Sequence, residues 1–516
     1  MVLIMISKRK KMLLAKNVNL NKIISKRYIT TGIPFDNNAK TTDNYNNDTI
    51  NNDNNTPSTN NDSGSFASKY IHWTPSNITS GMLRLDLYKI PSYIGHCSSR
   101  INRLYNEDRY SFSLLKYASN YKRAVTNTKN SPTFLNINIF DGHGGSNVST
   151  WLSKHLHEKL VQTIPNKKTF YSILKQYCLK YPHSDYWLNI YENREAYYKR
   201  FIRTCSTKKE DVLYNGSRMI FDKFGNIIDK TSLLSDLDRL RIFQTYLEVD
   251  LKDCIVYENC GSTASSIFLT PYAEYEQYTK PSSLDDNNSS NNNNNNNNVD
   301  DFNNDFLLTS QSLMKLCVVQ VGDCKVILCD KHGVAHSLTQ IHHANSPRET
   351  ARLNSSKLSI TDSFGETRFL DMFANTRSFG DSKGKEMGLS CEPDIYSYLI
   401  GNTSKLPHQE KSKLQFGGDE CFICMVTDGV TDLMDDQEII DLITSTVNMR
   451  GLKKATPQLV CEEVIKYISA ISGKDADNAT CLVYRLSNWG NWPVIDRTGA
   501  LREEKLLNTN QAELRE

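Results

Sequence analysis

The segment Thr133–Phe140 places Leu135, Ile137 and Ile139 on one side of an extended chain and runs straight into Asp141-Gly-His-Gly-Gly145. A two-residue apolar period is the mark of a strand. Beyond the glycines, Val148, Leu152, Leu156 and Leu160 recur at every fourth residue, which is the stripe of an amphipathic helix. An aspartate and a histidine therefore sit on a glycine turn between a strand and a helix. The missing Cβ atoms there let the backbone approach a ligand closely.

The same arrangement recurs along the chain. Leu316–Val321 and Lys325–Cys329 are apolar segments with Gly322-Asp323 between them, read as a tight hairpin bearing an exposed carboxylate. The run Cys421–Val426 ends at Thr427-Asp428-Gly429, and Asp435 with Glu438 forms a capping box for the next helix. A last strand, Ala479–Leu486, follows Asp477-Asn478; Asp108 and Asp381 complete the set. One aspartate beside glycine or asparagine ordinarily serves turn chemistry. Six in one domain imply more: if the strands share sheets, their ends converge and so do the carboxylates. Gathered carboxylates repel and raise each other's pKa unless cations neutralise them. Oxygen ligands without thiolate select hard octahedral cations such as Mg2+ or Mn2+, and a two-ion site suits phosphoester hydrolysis by metal-activated water.

Eight motifs then occur in a telling order: Asn106-Glu107-Asp108 after Arg103, Phe140-Asp-Gly-His-Gly-Gly145, Gly261-Ser-Thr-Ala264, Gly322-Asp323, Thr376-Arg-Ser-Phe-Gly-Asp381, Glu392-Pro-Asp394, Thr427-Asp-Gly429 and Asp477-Asn-Ala-Thr480. In this the chain resembles the metal-dependent Ser/Thr protein phosphatases of type 2C, from about Tyr93 to Leu486, and its leader resembles that of fungal mitochondrial members. The resemblance implies an α+β fold, a four-layer αββα sandwich of two antiparallel β-sheets flanked by helices. It implies two Mg2+ or Mn2+ ions per subunit, with a weaker third. Asp141 would bridge the pair. Glu107, Asp108 and the carbonyl of Gly142 would hold one ion, Asp381, Asp428 and Asp477 the other side, and Asp323 with Asp381 the third. Arg103 would bind the substrate phosphate and His143 would protonate the leaving oxygen. Activated water would attack phosphorus in line, with no phosphoenzyme. Phosphorylated mitochondrial proteins are the implied partners, with the pyruvate dehydrogenase complex as one such substrate.

The ends of the chain carry a different message. Residues 1–35 hold eight bases, from Lys8 to Arg27, interleaved with apolar residues, and the first acid is Asp36. That composition is expected of a mitochondrial presequence, for the matrix or intermembrane space. The formal charge of the whole chain is +3; without the eight bases it is −5, from 53 bases against 58 acids, so no polyanion such as nucleic acid is expected as a partner. No apolar run approaches the ~18–20 residues of a spanning helix, and a monomer is expected. Residues 36–75 read as a linker, because 11 asparagines among residues 37–62 leave too little apolar surface to offset chain entropy. The catalytic domain is expected over 76–488. It carries a largely helical insertion at about 165–250 and an Asn-rich surface loop at about 271–312, with a C-terminal tail over 489–516. Thirteen scattered cysteines read as reduced thiols, and Cys421 and Cys424 as buried strand residues.

One departure from the family stands out: Leu338-Thr339 leads to Gln340-Ile341-His342, where the family often has Asp-His. It is expected to alter local packing, and the His342-His343 pair is read as solvated. Two alternatives stay open, a catalytically inactive member acting as a binding module and a hydrolase of small phosphoesters.

Overall fold

A computed structural model describes residues 66–73, 83–116, 133–202, 234–272, 313–353, 359–361, 367–370 and 372–513. The expected leader, most of the linker, residues 203–233 of the insertion and the Asn-rich loop from 273 lie outside the described residues. The chain divides into two units, Gly64–Gly499 and a second made of Met1–Ser63 with Ala500–Glu516. The described part of the second is one helix, assigned over Gly499–Glu513.

Two antiparallel sheets form the body of the first unit. Their strands are β1 (Phe66–Ser68), β2 (Ile94–Ser99), β3 (Arg109–Lys116), β4 (Thr133–Phe140), β5 (Ala264–Pro271), β6 (Leu313–Val321), β7 (Lys325–Cys329), β8 (Ala335–Ser337), β9 (Asp394–Gly401), β10 (Phe422–Val426) and β11 (Ala479–Arg485). One sheet runs β1-β3-β4-β5-β6-β9 and the other β8-β7-β10-β11-β2. Alternation along each strand decides which layer a side chain joins. Phe112, Leu114, Leu135, Ile137, Ile267, Leu316 and Val318 of the first sheet meet Val326, Leu328, Ile423, Met425 and Leu482 of the second in one buried cluster. Their alternates Leu115, Phe134, Phe268 and Val319 face a helical layer built on α1 (Asn147–Gln162), α2 (Lys167–Lys180), α3 (Asp185–Glu192) and α4 (Asp236–Val249). Asn136 and Asn138 share that face fully buried and bond each other at 2.8 and 3.1 Å, so neither amide is stranded. Helices α5 (Asp436–Arg450) and α6 (Pro457–Ile471) cover the second sheet. At Gly95 of β2 an added Cβ would lie 2.1 Å from the carbonyl oxygen of Pro457, so glycine sets how closely α6 lies. The layers are helix, sheet, sheet, helix, as the resemblance implied.

The expected hairpin at Gly322-Asp323 is corrected. β6 and β7 do not pair; they belong to different sheets, and the turn crosses the sandwich. Both strands are apolar on both faces, so the periodicity that marked them as strands could not say which partner each takes. Strands Phe66–Ser68 and Tyr70–Trp73 lie before residue 76, and β1 pairs with β3, so the folded body includes the end of the expected linker. Beyond residue 488, Trp489 and Trp492 are buried edge-on against Phe422. Among the described residues no helix is long and apolar enough to cross a membrane.

Candidate active site

Register gathers the acids. Arg109 at the start of β3 lies opposite Phe140 at the end of β4, so the flanking Asp108 and Asp141 emerge side by side. Asp323 follows β6, Asp428 follows β10, and Asp477 precedes β11, all at the same end of the sandwich. The carboxylates of Asp141, Asp323 and Asp428 each place an oxygen within 4.8 Å of the others.

Charge at this spacing, under cover, is costly. Burial and then the neighbouring carboxylates, Asp428 first, drive the Asp141 pKa far up; burial and then Asp323 do the same to Asp428. Asp108 is pushed up to about 7, chiefly by burial, although Thr480 and Thr427 hydroxyls donate to its Oδ2 at 2.7 and 3.1 Å. Burial would raise Asp323 too, yet its hydrogen bond with His343 Nε2, at 2.9 Å, holds it below the ordinary value. The buried Oδ1 atoms of Asp108 and Asp323 have no hydrogen-bond partner among the described residues. Orphaned buried carboxylate oxygens beside a repelling acidic trio fit a site for hard divalent cations.

A histidine and an arginine flank the trio. His143 Nε2 lies 2.8 Å from Asp381 Oδ2. Burial works against the imidazolium, but Asp381 outweighs it and the His143 pKa is raised; Asp381 is lowered in turn. Asp381 adopts a left-handed conformation, φ 48°, which aims its carboxylate back at the histidine. Arg103 donates from Nη2 to Asp477 Oδ2 at 2.9 Å, both side chains about half exposed. Glu107 is held by its backbone: its N–H donates to Asn478 Oδ1 and its carbonyl accepts from Ser149. Gly142 fits under that carbonyl, where a Cβ would come within 2.5 Å. Asp141, Asp323 and Asp428 thus form the tight trio and Asp108 adjoins it, while Asp381 and Asp477 carry the histidine and the arginine.

The reading of His342-His343 as a solvated pair is corrected. His342 is 1% exposed. Its Nδ1 accepts from the N–H of Gly322, so Nε2 carries the proton and donates to Asp394 Oδ2 at 3.1 Å. His343 orients Asp323. No local pattern marks either contact, since the partners lie 52 and 20 residues away along the chain. Gly261 was legible only as part of a motif; a Cβ there would lie 2.2 Å from His143 Nε2 and 2.4 Å from Asp381 Oδ2.

Buried acids gathered at the open end of a β-sandwich, with a guanidinium and an imidazole at the rim, are the equipment of a cation-dependent phosphoester hydrolase. Comparison with known proteins points to the same class. A family model described as Protein phosphatase 2C matches residues 273–477. Protein phosphatase 2C homolog 4 of Schizosaccharomyces pombe is 27% identical over 439 residues, covering 84% of this chain and 90% of that one. Protein phosphatase 1K, mitochondrial, of Xenopus laevis is 30% identical over 178 residues, 34% of this chain and 41% of the relative. A crystal structure of a phosphatase from Toxoplasma gondii aligns with a TM-score of 0.42 at 12% identity, covering 82% of this chain and 96% of that one. These matches make the chain similar to the protein phosphatase 2C family and support a protein serine/threonine phosphatase.

Proposed function

We propose that this phosphatase acts on mitochondrial phosphoproteins, the pyruvate dehydrogenase complex among them, with two Mg2+ or Mn2+ ions and a weaker third. The observation that carries the site assignment is the trio Asp141, Asp323 and Asp428 within 4.8 Å beside the orphaned Asp108 oxygen. Asp141 would hold both principal cations, Glu107, Asp108 and the Gly142 carbonyl would hold one of them, and Asp381, Asp428 and Asp477 the other side; Asp323 with Asp381 would hold the third. Bound there, the cations neutralise the acids and activate a water for attack on phosphorus. Arg103 takes two phosphate oxygens in its planar fork. To do so it shares or leaves Asp477, and its half-exposed side chain has room to swing. His143, whose pKa Asp381 raises, gives its proton to the departing serine or threonine oxygen, a poor leaving group without one. The basic residues 1–35 and the printed name of the frog relative support the mitochondrial assignment.

The test uses the purified full chain on a phosphoserine peptide and on p-nitrophenyl phosphate, with Mn2+ or with chelator. Mn2+-dependent peptide turnover is expected, cut at least ~100-fold by Asp141→Asn. His143→Ala should slow the peptide far more than the aryl ester, whose phenolate leaves unaided. Inactivity on both substrates with metal present would favour the binding module, and activity on the aryl ester alone a small-molecule hydrolase. A fluorescent protein fused behind residues 1–35 should enter mitochondria; a diffuse cytosolic signal overturns that part.

A further inference from the structure

The turn that carries Asp381 is gripped from behind by a buried ionic knot. Lys385 and Asp250 are both fully buried, and Lys385 Nζ lies 3.0 Å from Asp250 Oδ2. Lys385 Nζ also donates to the carbonyl of Ser378 at 2.7 Å, and the N–H of Gly380 donates to Asp250 Oδ1 at 2.8 Å. Residues 378 and 380 are thereby clamped from one side. Gly380 adopts φ +74°, which glycine does freely, and Asp381 follows at φ 48°, a left-handed conformation uncommon outside glycine that the clamp holds in place. Ser378 Oγ donates to Asp381 Oδ2, the oxygen that faces His143.

The insertion closes this knot. Tyr177 on α2 donates its hydroxyl to Asp250 Oδ2 at 2.6 Å. Trp187 on α3 donates its indole N–H to the carbonyl of Lys385 at 2.8 Å and stacks on Tyr177 with ring centroids 4.1 Å apart. Tyr186 and Tyr197 both donate to Glu392, which lies beyond the turn. Both aromatic rings of the stack are fully buried. A surface elaboration that served only to bind other molecules would not spend its largest side chains on the back of this turn.

We infer that the helical insertion, through Tyr177, Trp187 and the Lys385–Asp250 pair, is a positioning element that holds Asp381 against His143 for proton delivery to the leaving oxygen. Tyr177, Trp187, Lys385 and Asp250 touch neither substrate nor cation and act through Asp381. The inference rests on the roles proposed above for Asp381 and His143. Because Asp381 is also assigned to the cations, the assays use saturating Mn2+, so that a loosened turn is read in leaving-group protonation and not in metal occupancy.

The experiment compares Tyr177→Phe, which keeps the ring and removes the hydroxyl that reaches Asp250 Oδ2 and the Leu247 carbonyl, with Lys385→Met, which leaves Asp250 without its counter-charge. Each variant of the full chain is assayed with Mn2+ on the phosphoserine peptide and on p-nitrophenyl phosphate. For Tyr177→Phe, kcat on the peptide should fall three- to tenfold with KM unchanged, and kcat on the aryl ester less than twofold. Lys385→Met should show a larger loss of the same selectivity, and Tyr177→Phe carries the test alone if Lys385→Met does not fold. Equal losses on both substrates, or no loss in Tyr177→Phe, overturn the inference. His143→Ala is run beside them. If it shows no preference between the substrates, the proton-donor reading has failed; if it does and Tyr177→Phe does not, only the positioning role has.

Discussion

At the scale of single residues, the chain buries charge in two ways with opposite consequences. Arg377 is braced between Glu349 and Asp394, and its guanidinium also meets the carbonyl of Glu392, so every charge in that knot is answered. Glu420 is not. It is fully buried just before β10, its Oε2 accepts only the N–H of Gly401 among the side-chain bonds described, and Oε1 has no partner among the described residues. Burial pushes its carboxyl up to about 7. Between the unfolded value of 4.5 and about 7 the folded chain holds a proton that the unfolded chain has released. Stability from this group therefore falls as pH rises through that window, and the penalty is complete above it. Glu420→Gln removes the charge and keeps an acceptor for Gly401. The variant should match the parent near pH 4.5 and gain up to about 3 kcal/mol by pH 8, read from denaturant midpoints at each pH. An advantage that did not grow with pH would show that Glu420 ionises freely in the fold.

Elements, next, explain why short glycine segments matter as much as the acids they flank. The pairs Gly142–His143, Gly261–Ser262 and Phe379–Gly380 form a small three-stranded sheet with Gly261–Ser262 in the middle. This sheet, not the sandwich, sets His143 beside Asp381. Gly261→Ala would put a methyl where the Nε2–Oδ2 hydrogen bond runs. Turnover of a phosphoserine peptide should fall at least about tenfold. The melting temperature should move little, because the sandwich core is untouched. A variant with full activity would mean that the pair need not be in contact. Helix α5 makes the complementary point: Asp435 and Glu438 form the capping box read from the sequence, a purely local device.

For the whole molecule, the acids at the open end act as one repelling group that the fold must hold together. Divalent cations that bind only the folded state add stability by mass action, about 2.7 kcal/mol at a hundred times Kd. Mn2+ should therefore raise the melting temperature of the parent by several degrees. In chelator, Asp141→Asn should melt above the parent, since one charge has left the cluster, and it should gain less from Mn2+. Calorimetry with and without Mn2+ checks both. A variant that melted below the parent in chelator would mean that Asp141 makes a bond worth more than the repulsion it causes.

Much of this was written in local pattern. The alternation Leu135, Ile137, Ile139, the helix stripe from Val148 to Leu160 and the cap at Asp435 depend on neighbours one to four residues apart, and the structure holds all three. The acids were legible as acids at strand ends for the same reason. Which strands pair was not: β6 and β7 are apolar on both faces, so nothing in their period chooses a hairpin over a crossing between sheets. The bonds of His342 to Asp394, of His343 to Asp323, of His143 to Asp381 and of Lys385 to Asp250 join residues 20 to 238 positions apart. Spacing along the chain decides local geometry because nearby residues share backbone constraints. Contacts across such distances exist only once packed layers have removed the alternatives, and so the tertiary structure alone decided them.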